Sequence, residues 1–163
     1  MFKDPKVLAG GAVLLGVAFW FVIKPQFFGS KPAPVYTAEQ LAAAPKPTLV
    51  LEERVLNLKS PVTAPNYVKT SLALEFADPQ HRYVTLKGAA VTAANTALAD
   101  EMKPELPRIW DSVIKVVGGK SVDEVASPGG QDALKNELIT ALNSELDPDH
   151  KVQRINFVTW ITQ

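Results

Sequence analysis

The order in which hydrophobic patterns follow one another predicts an α+β domain carried behind a single N-terminal transmembrane helix and a Pro-rich linker. Three observations predict it. Residues 7–23 carry no charge; residues 67–76 alternate between two kinds of side chain with period two; and beyond residue 100 apolar side chains recur at helical spacing before one more extended stretch at 152–162. Strands first, helices next and a terminal strand is the α+β arrangement.

The first element runs from Val7 through Leu14, Gly16 and Trp20 to Ile23, bracketed by Lys6 and Lys24. As a helix it is about 26 Å long, near the ~30 Å thickness of a hydrocarbon core. The two lysines extend towards the headgroups, and Trp20, flanked by Phe19 and Phe21, falls where interfacial aromatics collect. A cleaved signal peptide is the competing reading. Small residues would then follow the apolar stretch closely, but Lys24, Pro25, Gln26, Phe27 and Phe28 stand there. A six-residue stub needs no translocation if it stays in the cytoplasm, which places the N-terminus inside and the bulk of the chain beyond the membrane. Ala9, Ala12 and Gly16 share one face of this helix, the kind of small-residue surface that lets a second helix approach. Residues 1–24 thus read as cytoplasmic stub and anchor.

Residues 25–47 contain five of the 13 prolines, Pro25, Pro32, Pro34, Pro45 and Pro47. Such a segment favours extended polyproline II and reads as a spacer. Thr37 and Gln40 have the spacing of a capping box, so a short helical turn is expected within it.

The remaining 116 residues, 48–163, suffice for a core of their own. A strand is expected over 48–59 before the Ser60-Pro61 break. The next, 67–76, sets Val68, Thr70, Leu72, Leu74 and Phe76 on one face. Asp78-Pro79 marks a turn, and 81–87 reads as a further short strand. Leu106, Ile109, Val113 and Val116 or Val117 line a helix that Gly118-Gly119 terminates as a C-cap. Pro107 either lies in its first turn or kinks a longer helix starting near Ala94. Ser121 and Glu124 form a second capping box. A turn at Pro128-Gly129-Gly130 leads to a helix over 131–146, with Leu134, Leu138 and Leu142 stacked at i+4. The last strand carries Ile155, Phe157 and Ile161 on one face and Val158 and Trp160 on the other. Apolar residues on both faces imply cover on both sides, from this fold or from another subunit. For Val158 and Trp160, ordinary core and a partner-facing patch are both compatible with the pattern.

Composition excludes several chemistries. With 17 basic and 17 acidic residues the chain lacks the basic excess of a nucleic-acid binder. No cysteine means no disulfide, thiolate metal site or Cys nucleophile. His81 and His150 are the only histidines, both in polar loop sequence and neither beside a nucleophile signature. The pairs Glu52-Glu53, Asp100-Glu101 and Asp123-Glu124 are adjacent in sequence, so their side chains diverge on a helix or strand, which makes them poor candidates for a shared proton or metal. No catalytic, cofactor or metal site is therefore expected, and no small-molecule substrate. A membrane-tethered sensor or binding module remains the alternative to a structural protein.

An anchor, a Pro-rich stalk and these blocks together resemble the FliL family of flagellar basal-body-associated membrane proteins. The matching stretches are LEERVLNLKSP at 51–61 with Asn57-Leu58, YVKTSLALEF at 67–76, PRIWDSVIKVV at 107–117 with Asp111, GQDALKNELITALN at 130–143, and the closing strand at 152–163 ending in Gln. Residues 78–103, with AAVTAANTALAD, are more Ala-rich than the family pattern. The resemblance implies a stomatin-like (SPFH-type) extracytoplasmic domain, no enzyme activity, and a homo-oligomeric ring around the stator units of the flagellar basal body. Its implied surroundings are the lipid bilayer of the cell membrane and the proteins of the motor.

Overall fold

The computed structural model describes residues 34–163, and Thr37–Gln163 form one compact unit. The expected membrane helix, with Val7, Leu14, Gly16, Trp20 and Ile23 and its small face of Ala9, Ala12 and Gly16, lies outside the described residues. Among those described, no helix is long and apolar enough to cross a membrane. The elements are α1 (Ala38–Ala43), β1 (Thr48–Val50), β2 (Arg54–Asn57), β3 (Tyr67–Phe76), α2 (Ala89–Glu101), α3 (Leu106–Gly118), α4 (Val122–Ala126), α5 (Pro128–Glu145) and β4 (Val152–Thr162).

All strand pairs are antiparallel and all involve β3. Its period-two pattern sends Val68, Thr70, Leu72, Leu74 and Phe76 into the core, each at most 2% exposed. β1 and β2 share one side of β3, and β4 takes the other. The single strand expected at 48–59 is thus two. Between them Leu51 donates its N–H to the Leu72 carbonyl (2.8 Å), while its own carbonyl accepts from the Ser71 hydroxyl (2.9 Å). A side chain on the neighbouring strand makes this second bond, so the interruption is fixed by tertiary contact that the pattern of 48–59 does not contain.

Helices cover one face of the sheet. On α3, Ile109, Trp110, Val113 and Val117 are buried, with Pro107 in the first turn where its missing N–H costs nothing. On α5, Leu134, Leu138 and Leu142 face inwards and meet Ile155 and Leu72 in one continuous core. α5 packs on both α3 and β4, and α3 also packs on β2. Arg54 of β2 lays its guanidinium over the Trp110 ring, 4.2 Å from the centroid, closing the core beside α3.

Several expectations need correction. Residues 81–87 form turns rather than a strand, because the Asp78 carboxylate accepts from the Arg82 and Tyr83 N–H groups (2.9 and 2.8 Å) and holds the chain locally. His81 sits there in the left-handed region, with φ of 54°. The Ala-rich stretch is a separate helix, α2, entered through Gly88 at φ of 51° and divided from α3 by a 3-10 turn at Lys103–Glu105. No residue of α2 is fully buried, and only Leu98 and Ala99 lean on the core. At the end of α3, Gly119 is right-handed (φ −78°), so the helix stops by tightening its last turn rather than by a left-handed glycine.

Pro128-Gly129-Gly130 is no turn. Ser127 caps α5, its hydroxyl accepting from the Gly130 N–H at 3.0 Å, and Pro128 opens the helix. The two capping boxes form as expected. In the second, Glu124 accepts from both the N–H and the hydroxyl of Ser121 (2.8 Å each). The main-chain bond above all, then the hydroxyl, holds the Glu124 carboxyl below its ordinary value. A depressed folded-state value means the stabilisation is present above the unfolded carboxylate range and disappears as pH falls through the folded one. Glu124→Ala is accordingly expected to lower the melting temperature near neutral pH, and the gap from wild type should close in melts taken at progressively more acid pH.

Candidate interaction surface

The helices leave the second face of the sheet uncovered among the described residues. Its positions follow from the register: Tyr67, Lys69, Ser71, Ala73 and Glu75 on β3, their partners on β4, and Val50 and Val55 on the other side. The middle is polar and closely covered. Lys69 pairs with Glu53 at 2.7 Å, Glu75 accepts from Asn156 and lies 3.9 Å from Arg154, and the small Ser71 and Ala73 between them are nearly buried. The margins are apolar: Val50, Val55, Tyr67, Val158 and Ile161 are between 38% and 64% exposed. Five of the eight large hydrophobic residues exposed in the described chain therefore share this face.

The strand β4 does not keep a simple alternation. Leu72 pairs with Phe157 but Ser71 with Thr159, which leaves Val158 as the extra residue of a bulge. One added residue reverses the facing of everything after it. Trp160, expected opposite Phe157, instead lies on the core face and stacks on Phe157 with centroids 4.3 Å apart. Ile161, expected on the same face as Phe157, lies on the opposite one, paired with Lys69. Of the two expected interface residues, Val158 is exposed and Trp160 packs against the core. The outer pair is therefore Val158 with Ile161. Neither the Trp160 indole N–H nor the hydroxyl of its cross-strand neighbour Thr70 has a hydrogen-bond partner among the described residues.

The titratable groups are dispersed. Glu52 and Glu53 sit in the gap between β1 and β2; Asp100 pairs with Lys103 (2.7 Å), whereas its neighbour Glu101 meets His150 Nε2 at 3.3 Å. His150 also sets its ring edge-on to Phe76, in a shallow cleft that includes Tyr83. Burial pushes the Tyr83 hydroxyl above its ordinary value. Lys120 reaches from the end of α3 to Glu137 on α5 at 2.6 Å, and that bond raises its ammonium above the usual lysine range. Asp111 is exposed on α3, at a polar groove shared with Lys115 and Glu145. Among the described residues no three His, Cys, Asp or Glu side chains gather where a metal ion could be held. What this surface presents is exposed apolar side chains around a polar middle.

Sequence reasoning singled out Val158 but missed Val50, Val55, Tyr67 and Ile161. Their signal was present as apolar residues at the outward positions of strands whose inward positions were also apolar.

Comparison with known proteins agrees with the resemblance read from the blocks. Residues 48–163 match the family described as Flagellar basal body-associated protein FliL. The chain is also 25% identical over 111 residues to the protein named Flagellar protein FliL of Aquifex aeolicus (strain VF5), covering 64% of this chain and 68% of that one. The matched region spans β1 to β4, so the sheet, the helices above it and the uncovered face below all fall inside it. The chain belongs to the FliL family of flagellar basal body-associated proteins.

Proposed function

We propose that this protein is a non-enzymatic accessory component of the flagellar motor that stands beside the stator units and supports motility, through torque or stator stability. Residues 7–23 anchor it in the cell membrane with the N-terminus cytoplasmic, residues 25–47 set its height, and residues 48–163 form an SPFH-like extracytoplasmic module that associates with copies of itself. The family match over residues 48–163 carries the reading. The uncovered sheet face supports the self-association part of it, since exposed large apolar side chains gathered on one face, as Val50, Val55, Tyr67, Val158 and Ile161 are here, are typical of macromolecular contact. Lys6 and Lys24 around a charge-free span support the anchor.

The test is a chromosomal deletion of residues 48–163 that retains the anchor and linker. Swimming speed is expected to fall, most steeply in viscous medium where each motor carries a high load. Unchanged swimming at both low and high load would remove the motor assignment. Self-association is tested separately, by light scattering of the full-length protein in detergent, where species larger than the monomer are expected.

A further inference from the structure

Three stripes of side chain run along α5. Leu134, Leu138 and Leu142 face the sheet, and Glu137, Ala141, Ser144 and Glu145 line the groove shared with α3. The third stripe is Gln131, Lys135, Ile139 and Asn143, each half-buried and four residues from the next. It follows β4. The Asn143 amide accepts from the Val152 N–H (2.8 Å) and donates to the Val152 carbonyl (2.9 Å), in place of a neighbouring strand. Farther along, the Lys135 ammonium stands 5.1 Å from the centroid of the Phe157 ring, which stacks on Trp160. α5 therefore runs antiparallel to β4 and flanks its outer edge. Past Val152 that edge is unpaired, since β4 has only β3 beside it among the described residues. Tyr67 and Gln163 exchange both main-chain bonds at 2.9 Å, and alternation along an antiparallel ladder then turns the N–H and C=O groups of Trp160 and Thr162 away from β3. The stretch from 155 to 163, INFVTWITQ, has no charge and no proline to discourage an added strand. Beside it, Lys135 has a loose partner: Asp132 lies 3.4 Å away with its side chain 74% exposed.

We propose that β4 accepts an extended segment of a different protein as a fifth strand of the sheet, and that Lys135 selects a segment carrying a carboxylate on the side facing α5. An edge with free main-chain groups beside a helix is the arrangement used in strand addition, where main-chain bonds give affinity and alternate side chains give specificity. Trp160 and Thr162 supply the main-chain bonds. Successive residues of a strand point to opposite faces, so every second side chain of the guest meets α5, at Ile139 and the Lys135 stem. The others extend the face that holds Val158 and Ile161. Charge complementarity decides the occupant. The edge of a second copy has no carboxylate between Ile155 and Gln163 to set against Lys135, so the fitting guest is an acidic, otherwise uncharged segment of another chain. The inference goes beyond the motor reading and stands on the fold of this domain alone.

The probe is a fluorescently labelled peptide of about ten residues, valine alternating with threonine around one central glutamate, titrated with the full-length protein in detergent and read by anisotropy. The glutamate peptide is expected to bind about two- to fivefold more tightly than its glutamine counterpart, the range of an exposed ion pair. That preference should vanish in Lys135→Met, which keeps the apolar stem, with the melting temperature unchanged. Thr162→Pro removes a donor at the open edge without touching the ladder to β3, and is expected to weaken binding of both peptides by about fivefold. The glutamate peptide N-methylated at every amide keeps its side chains, loses its donors and is expected not to bind, a control that leaves the protein intact. No binding up to about 1 mM peptide, or equal binding of the N-methylated form, overturns strand addition at β4. Equal affinity for the glutamate and glutamine peptides overturns the selection by Lys135. In motile cells a photo-cross-linker at position 162 is expected to give an adduct with a different chain that fades in Lys135→Glu; an adduct with a second copy alone, or none, overturns the choice of partner.

Discussion

Replacing Leu138 by alanine is expected to destabilise the domain by about 3 kcal/mol, within the 2–5 kcal/mol typical of buried Leu-to-Ala changes. Leu138 has no exposed surface and stands mid-way along the inward face of α5, between Leu134 and Leu142. Alanine is the strongest helix former, so helix propensity does not contribute to the loss. What is lost is transfer free energy and close packing where α5 lies over the sheet and beside α3. For a domain of this size the melting temperature should fall by about 10 °C. Denaturant melts of wild type and variant supply the free energy, and a difference below about 1 kcal/mol would falsify the packing described for α5. Ile114→Ala provides the contrast: that side chain is half exposed on α3, and its removal should cost no more than about 0.5 kcal/mol.

Gly130→Ala is expected to be the second most damaging change, at about 1–3 kcal/mol from overpacking. A Cβ at position 130 would fall on the main-chain carbonyl of Glu124, and it would also touch the capping hydroxyl of Ser127. The obstacle is backbone, so relief requires α4 and the start of α5 to separate. Gly129, one residue earlier, has open space around its Cβ position. Gly129→Ala should therefore be neutral or stabilising by up to about 1 kcal/mol, the helix-propensity difference between the two residues. The pair tests a single statement: α4 abuts the first turn of α5 at one glycine. Equal effects at the two positions would show that this close approach is absent.

The two glycines also show where a sequence is informative. Their composition suggests a turn, yet Ser127 and Pro128 immediately before them carry a helix-start signature, and the helix begins there. Long periodic segments were legible for the same reason that they are stable: β3 and α5 bury one face over many residues, and repetition makes the period visible. What stayed hidden depends on single contacts. The Ser71 hydroxyl at Leu51 and the Asp78 carboxylate beneath Arg82 and Tyr83 are side-chain bonds to main chain, and they leave no periodic trace. α2 has the propensity of an Ala-rich helix without an amphipathic stripe, because it buries almost nothing. In the candidate surface, one inserted residue at Val158 exchanged the roles of Trp160 and Ile161, since a period of two makes any single-residue shift reverse the face.

The central position of β3 has a consequence for how the chain is made. Its partners on one side, β1 and β2, precede it closely, whereas Val68 must wait for Thr162, far along the chain, to complete the other side. At common synthesis rates that interval lasts about 5–20 s. Throughout it, a ten-residue strand rich in β-branched and leucine side chains has one edge bare and only half of its sheet formed. The helices made in the meantime shield its face but supply no hydrogen bonds to that edge. A premature stop anywhere after α5 would thus release a chain that keeps most of its helices and displays β3 to its surroundings, a form suited to aggregation rather than to assembly.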